Sequence, residues 1–196
     1  TDPITDSSKY FGQVLKTDKL IGKNGIIFPL HSSLTPFKDE FIKMEAKEFG
    51  EMKVWAQPYF NLYDQILSNN GVPNELKYLS VIESHLQSKL VSWAGAVGPW
   101  QLMADVAQRF GLRTGGTFDE RTNFTRSTEA AAKVLKELYN EFGDWLLVVA
   151  AYNCGQGCVS GAISKAGTKD FWKLQFYLPE ETRNHVKKYI ATHYYF

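Results

Sequence analysis

The segment Tyr78-Leu79-Ser80-Val81-Ile82-Glu83-Ser84 is an apolar helical run that carries one carboxylate near its end. Nine residues after Glu83 begins Ser92-Trp93-Ala94-Gly95-Ala96-Val97-Gly98-Pro99-Trp100-Gln101, a turn rich in small residues. Burial on such a surface disfavours an ionised carboxylate and raises its pKa. A glutamic acid that stays protonated near neutral pH can act as a general acid. These two stretches are therefore the first candidates for chemistry.

The composition is that of one ordinary globular domain. The chain has 196 residues, of which 44% are apolar, enough for a substantial core. Its 22 basic and 21 acidic side chains nearly balance, which argues against a dedicated nucleic-acid-binding protein. No apolar run approaches the ~18 residues of a membrane span. The polar start at Thr1 does not resemble a signal peptide, and removal of one from a precursor stays open.

The chain divides into an arm and a helical domain. Residues 1–35 carry Asn24-Gly25, which predicts a turn, followed by an apolar run at 26–30 that predicts an extended segment docked on the body. Residues 36–196 show helical spacing almost throughout, so we predict a mainly α domain with an extended N-terminal arm.

Helix boundaries follow from proline, glycine and capping residues. We expect Thr35 to cap a first helix with Pro36 in its first turn, and Phe37, Phe41 and Met44 on one side. A second helix carries a stripe from Tyr59 to Leu67 and ends at Asn69-Asn70-Gly71. Further helices are predicted to open at Pro73, at Pro99 (through Phe110), at a Ser127 cap, at an Asp144 cap, and at Pro179 with Glu180 and Glu181 in the first turn.

Cys154 and Cys158 are the two cysteines of the chain. Their spacing, with no second pair or histidine cluster, argues against zinc, and we expect no metal or cofactor. The pair can form a disulfide in an oxidising compartment or stay as two thiols. Because an i,i+4 pair on one helix has unfavourable geometry for a disulfide, the sequence favours thiols.

Several ordered blocks resemble the catalytic domain of soluble lytic transglycosylases of the membrane-bound lytic murein transglycosylase D type. Glu83-Ser84 resembles the catalytic Glu-Ser signature, and Ser92 with residues 95–101 resembles the following glycine-rich block. Residues 151–155 resemble the Ala-Tyr-Asn-x-Gly block. Asp119-Glu120-Arg121, Ser127-Thr128 and Glu181-Thr182 also fall where such proteins carry them, and the resemblance extends over about 58–189.

This resemblance implies a lysozyme-like fold of the goose-type lysozyme class and cleavage of the glycan of peptidoglycan. The chain departs from the pattern at 103–107, where the family usually continues Met-Pro-x-Thr-Ala. It departs again at His185, where relatives mostly carry a tyrosine that lines the site.

The resemblance also implies roles for individual residues. Glu83 would be the catalytic acid and Ser92 would bond the substrate N-acetyl group. Gly98 and Gln101 would shape the cleft floor, while Tyr152 would hydrogen-bond Glu83 and keep it aligned. The remaining implied positions are Ser84, which braces the helix end, Asn153, which holds the loop or the sugar, and His185, which lines the site.

Glycosidic cleavage needs a proton delivered to the leaving oxygen, and most glycosidases add a second carboxylate. No second acid is paired with Glu83 by motif; Asp105, Asp119 and Glu120 are candidates by sequence proximity alone. The resemblance implies that Glu83 first gives a proton and then accepts one from the sugar 6-hydroxyl, which closes a 1,6-anhydro ring. A muramidase that uses water and a non-catalytic peptidoglycan-binding module remain as alternatives.

The implied partner is the glycan strand of peptidoglycan, with no nucleic acid, and with membrane association only through a lipid anchor outside this sequence. Such a substrate implies a periplasmic location or the inner face of the outer membrane. Among the tryptophans, packing is favoured over sugar stacking, with Trp93 and Trp100 as the two to test because they flank the turn.

Overall fold

Helices form nearly all of the architecture. The computed structural model describes the backbone at 21–22 and 25–26 and the chain from 31 to 196. The helices of this part are α1 (Thr35–Trp55), α2 (Gln57–Asn69), α3 (Lys77–Ser84), α4 (Ala104–Arg109), α5 (Phe124–Phe142), α6 (Trp145–Cys154), α7 (Gln156–Ala166), α8 (Phe171–Leu174) and α9 (Glu180–Tyr195). Short 3-10 turns occupy Ser32–Leu34, Asn74–Leu76, Gly116–Phe118, Glu120–Thr122 and Gln175–Tyr177. The predicted mainly α class is confirmed.

A short hairpin lies in the predicted arm. Strand β1 (Ile21–Gly22) pairs antiparallel with β2 (Gly25–Ile26), with Gly22 opposite Gly25. The predicted turn residue Asn24 and the rest of the predicted extended segment, 27–30, lie outside the described residues.

The central element is α6. Asp144 caps it by accepting hydrogen bonds from the backbone N–H groups of Leu146 and Leu147, as the sequence predicts. Residues 146–151 of this helix are all buried, so it is apolar all round rather than amphipathic. It packs against α5, α7 and α9, while α9 also packs against α1 and α3. The site described below lies where α3, α6 and α9 meet.

Three predicted helix starts are wrong. Thr35 is the first residue of α1 and Leu34 precedes it, although Pro36 does lie in the first turn. The cap of α5 is Asn123, whose side chain accepts from the Arg126 N–H, and Ser127 is buried inside the helix. Residues 99–101 form a turn, Leu102 lies in a β-bridge with Val97, and α4 begins only at Ala104.

The core face of α1 also differs from the predicted one. Met44 is 68% exposed, and the buried side chains of α1 are Phe41, Phe49 and Met52. The buried face of α1 therefore runs through Phe41, Phe49 and Met52, and the helix packs against α9.

The two cysteines are joined in a disulfide, which corrects the expectation of free thiols. Gly155 has φ 87° and ends α6 at Cys154, so Cys158 lies on the next helix, α7. The two residues therefore do not share one continuous helix, and their Cα atoms lie 5.8 Å apart, within the range that a disulfide needs.

We expect the double variant Cys154→Ser/Cys158→Ser to lose about 2 kcal/mol of unfolding free energy, the loop-closure contribution of a very short loop. Urea denaturation without reductant measures the loss. As a control, reductant should destabilise the wild type by a similar amount and leave the double variant unchanged. Equal stability of wild type and variant would contradict the assignment.

Candidate active site

Glu83 lies in the last turn of α3, and its side chain is 17% exposed. The helix ends one residue later, at Ser84, because His85 adopts a left-handed conformation with φ 50°. Leu79 and Val81 are fully buried, so the helix is fixed by its apolar face and presents Glu83 at its end. The carboxylate is thereby held on rigid secondary structure rather than on a loop.

The turn at 98–101 is bonded to α3 through one carbonyl. The hydroxyls of Ser80 and Ser84 each donate to the Pro99 carbonyl oxygen at 2.8 Å. Both serines are buried, and Ser84 therefore braces the helix end, as the sequence analysis expected. Two short hydroxyls one helical turn apart let the backbone of the turn approach α3 closely.

Trp100 ties the same turn to α5 and α6. Its indole is fully buried and donates to the Thr128 hydroxyl at 2.8 Å. Its carbonyl accepts a 2.6 Å hydrogen bond from the Tyr152 hydroxyl. The Tyr152 hydroxyl therefore donates its hydrogen bond to the Trp100 carbonyl. The expected hydrogen bond from Tyr152 to Glu83 is not formed. Trp100 is a packing residue, whereas Trp93 is fully exposed.

Ser92 and Gln101 close the loop between α3 and the turn. The Gln101 side-chain nitrogen donates to the carbonyls of Gly98 at 2.9 Å and Leu90 at 3.2 Å, and its backbone has φ 46°. The Ser92 oxygen accepts from the Ala96 N–H at 3.0 Å. Within the described chain, the Ser92 hydroxyl proton makes no hydrogen bond and is available to a ligand.

Arg121 is a structural residue to which the sequence analysis assigned no role. It is 5% exposed, and its Nη1 donates to the carbonyls of Gly95 and Leu102 at 3.0 Å. Its Nε and Nη2 contact Asp119, with an Nη2–Oδ2 distance of 2.7 Å. Hydrogen bonds from Arg121 lower the pKa of Asp119 to about 2. The arginine thereby satisfies loop carbonyls and anchors the loop.

His185 of α9 faces Glu83. Its Nε2 lies 3.3 Å from Glu83 Oε1, and its side chain is 11% exposed. Burial raises the pKa of Glu83 to about 8, with a further contribution from the negative charge of Glu181. Burial lowers the pKa of His185 to about 4, and Lys188 adds to this effect. Between these values the carboxyl is protonated and the imidazole is neutral.

Tyr152 and Asn153 are the residues of α6 that lie at the site of Glu83 and His185. The Thr182 hydroxyl donates to Asn153 Oδ1 at 2.8 Å, which ties α6 to the first turn of α9. Burial, followed by the charge of Glu83, raises the pKa of Tyr152 well above its ordinary value. Both effects keep the Tyr152 hydroxyl in its neutral, donating form.

The three suggested second acids are placed elsewhere or already paired. Asp119 is bound to Arg121, and Glu120 accepts from the Arg113 N–H at 2.7 Å and pairs with Arg126. Asp105 is exposed in the first turn of α4. The acid whose charge does act on Glu83 is Glu181, an exposed residue of α9.

Comparison with known proteins gives one consistent result. The transglycosylase SLT domain family matches residues 63–175, more than half of the chain. The chain belongs to the transglycosylase SLT domain family.

Curated relatives of this SLT domain agree with the family match. The chain is 36% identical over 141 residues to membrane-bound lytic murein transglycosylase D of Escherichia coli K12. The aligned region covers 69% of this chain and 31% of the relative. It is 33% identical over 115 residues to a putative tributyltin chloride resistance protein of Alteromonas sp. M-1, covering 58% of this chain and 56% of that protein. This chain therefore spans about a third of the Escherichia coli relative.

Solved structures confirm the lysozyme-like helical fold of the SLT domain. The 70 kDa soluble lytic transglycosylase of Escherichia coli matches with a TM-score of 0.61 at 23% identity, over 69% of this chain and 23% of that one. An inactive mutant of lytic transglycosylase Slt from Pseudomonas aeruginosa matches with a TM-score of 0.57 at 23% identity, over 68% and 23%. At this identity the likeness concerns the fold.

The sequence-predicted site residues of the SLT domain fall into two groups. Glu83, Tyr152, Asn153 and His185 converge where α3, α6 and α9 meet, whereas Ser84, Ser92, Gly98 and Gln101 build and brace the neighbouring loop. No helix in the described part of the chain is long and apolar enough to cross a membrane. Among the same residues, no cluster of three or more histidine, cysteine or acidic side chains is arranged to hold a metal ion.

Gly98 gives a sharp test of the loop. Its φ is 85°, and a Cβ added there would collide with the carbonyl of Arg121. We expect Gly98→Ala to lower the unfolding free energy by more than about 3 kcal/mol, because both the backbone conformation and the close contact are lost.

Gly95→Ala is the matched control for Gly98→Ala. Gly95 has φ 87° but no atom within 4 Å of an added Cβ. The Gly95→Ala variant should therefore lose only the backbone part of the unfolding free energy, ~1–2 kcal/mol. Denaturant titration compares both variants with the wild type. Equal losses of unfolding free energy in the two variants would show that the close contact with Arg121 does not contribute to the effect of Gly98→Ala.

The raised pKa of Glu83 predicts a pH-dependent stability difference between wild type and Glu83→Gln. The unfolded chain releases the Glu83 proton near pH 4.5, whereas the folded chain keeps it until about 8. Wild-type stability should therefore fall relative to Glu83→Gln as pH rises through this window, by up to about 1.4 kcal/mol per pH unit. Below pH 4.5 the difference should be constant.

Thermal melts at pH 5, 7 and 8.5 measure this difference, because His185 and all other groups are common to both proteins. Glu180→Gln, an exposed carboxylate in the first turn of α9, serves as the control and should follow the wild type. Parallel stability curves for wild type and Glu83→Gln would show that Glu83 titrates as an ordinary exposed acid.

Proposed function

We propose that this domain is a lytic transglycosylase that cleaves the β-1,4 bond between N-acetylmuramic acid and N-acetylglucosamine in peptidoglycan. The observation that carries the proposal is Glu83, a mostly buried carboxyl at the end of α3 whose pKa is raised to about 8. Family membership supports the same reaction class, since the Escherichia coli relative is named a lytic murein transglycosylase.

The reaction begins with proton transfer. Protonated Glu83 gives its proton to the glycosidic oxygen as positive charge develops at the anomeric carbon of the muramic acid residue. The leaving sugar departs with that proton, and Glu83 becomes a carboxylate. The unused proton of the Ser92 hydroxyl is suited to bond the N-acetyl carbonyl of the sugar and hold it during this step.

The second step returns the proton. The Glu83 carboxylate accepts the proton of the sugar's own 6-hydroxyl, whose oxygen bonds to the anomeric carbon and closes a 1,6-anhydro ring. Glu83 ends the cycle protonated, so no water is consumed and no second catalytic carboxylate is required. The raised pKa suits both steps, because the group is protonated at neutral pH and its conjugate base is strong enough to take a proton back.

Hydrolysis is the second candidate, and one observation favours it. Glu181 is an exposed carboxylate whose charge acts on Glu83, so it is placed where an acid could activate water. In that case Glu83 would still donate the proton, but the product would carry a reducing end. The identity of the new sugar end separates the two reactions.

The proposed substrate implies a binding partner and a cellular location. Peptidoglycan glycan strands are the proposed partner, and an exported location at the cell wall follows from that partner.

The test is digestion of purified sacculi followed by mass analysis of the released fragments. Wild type should release fragments with 1,6-anhydro-muramic ends, and Glu83→Gln should reduce the rate by about 10²–10⁴-fold, the range of a lost general acid. Glu181→Gln is the matched control and should keep the anhydro product.

Two other results of the sacculus digestion would contradict the proposal. Reducing ends that disappear in Glu181→Gln would establish a muramidase. Binding to sacculi without released fragments, equal in wild type and Glu83→Gln, would establish a non-catalytic binding module.

A further inference from the structure

The contact between Glu83 and His185 contains a polar atom with no protein partner. His185 Nε2 is buried, lies 3.3 Å from Glu83 Oε1, and makes no hydrogen bond to any residue that the structure describes. Buried polar atoms are nearly always hydrogen-bonded, because burial without a partner forfeits their hydrogen bonds to water. A neutral imidazole nitrogen that carries no proton is an acceptor, so it needs a donor at this position.

No amide, hydroxyl or ammonium donor of the described residues, the Asn153 amide included, makes a hydrogen bond to His185 Nε2, which leaves one donor. From α6, the Tyr152 hydroxyl is directed to the Trp100 carbonyl. From α1, Glu45 is paired with His85 at 3.1 Å. On α9 itself, Glu181 carries an acceptor and acts on Glu83, and Lys188 acts on His185 through its charge. The remaining donor from α3 is the carboxyl proton of Glu83.

We propose that His185 is a positioning residue: its unprotonated Nε2 accepts a hydrogen bond from the protonated Glu83 carboxyl and holds the proton that the reaction uses. This inference rests on the proposed function, in which Glu83 is the acid. In the reaction, the proton moves from Glu83 to the glycosidic oxygen and returns to Glu83 from the 6-hydroxyl. His185 stays neutral throughout, so the proton balance is unchanged.

A consequence distinguishes this role from simple packing. If His185 is protonated, Nε2 becomes a donor and a positive charge lies 3.3 Å from Glu83 Oε1. That charge favours the carboxylate and removes the acceptor, so the acid form needed for catalysis is lost. Activity should therefore fall at low pH through His185 as well as at high pH through Glu83. The expected midpoints lie near the pKa values of about 4 and about 8.

The test compares pH profiles of kcat/KM for full-length wild type, His185→Gln and His185→Phe on soluble glycan fragments, with the anhydro product as the readout. His185→Gln keeps an acceptor oxygen but does not ionise; it should retain most of the rate and lose the low-pH decline. His185→Phe should lose the decline and also about tenfold in kcat, the effect of one lost hydrogen bond. Ionisation of the substrate is common to all variants.

His85→Asn is the matched control. It removes the imidazole–carboxylate pair with Glu45, which lies outside the reaction, and asparagine tolerates the left-handed backbone at this position. This variant should keep the wild-type profile. Retention of the low-pH decline in both His185 variants would overturn the inference.

A second measurement does not depend on activity. Nitrogen-15 NMR of the wild-type protein at pH 6 distinguishes the protonated from the unprotonated ring nitrogen of His185. We expect Nε2 to be unprotonated and hydrogen-bonded, and a proton on Nε2 would overturn the inference even if every variant failed to fold. Absence of anhydro product from wild type at any pH would instead reject the proposed function, and the tautomer would still decide the role of His185.

Discussion

The carbonyl of Pro99 accepts hydrogen bonds from two serine hydroxyls of α3, and the arrangement of the site depends on this junction. It fixes the turn at 98–101 to the helix that carries Glu83. The same turn is held by α5 through the Trp100 indole and by α6 through the Trp100 carbonyl. Three helices are thereby fixed to one short loop, and the loop is in turn anchored by Arg121.

This construction explains how a carboxyl group can be both buried and functional. Glu83 is at the end of a short helix that is held against the core by four buried residues, Leu79, Ser80, Val81 and Ser84. Its environment provides an imidazole rather than a cation, and the negative charge of Glu181 opposes ionisation. The site therefore stabilises the protonated form of Glu83 without a salt bridge that would lower its pKa.

Local signals in the sequence predicted the parts of the fold that depend on neighbouring residues. Asp144 caps α6 and Pro179 precedes α9 because capping and proline geometry act within one turn of chain. The start predicted at Pro99 was wrong, because Leu102 pairs with Val97 in a β-bridge and Gln101 has a positive φ. The free-thiol expectation was wrong because Gly155 breaks the helix between the cysteines.

The site shows the same division between local and tertiary information. The ordered motifs placed Glu83, Tyr152, Asn153 and His185 in one region, and the structure brings them together. The true partner of the Tyr152 hydroxyl and the role of Arg121 depend on contacts between residues far apart in sequence. One signal was available: Ser80 and Ser84 are small hydroxyl residues four apart within an apolar run, which is typical of a helix face that accepts a close backbone.

The central claim is that the Glu83 carboxyl is neutral at physiological pH, and carbon-13 NMR of the glutamate side-chain carboxyls tests it most directly. Comparison of wild type with Glu83→Gln assigns the resonance. The account predicts that this resonance keeps its protonated position at pH 6 and titrates near the pKa of about 8. A midpoint near ~4.3, the value of an unperturbed glutamate, would contradict it.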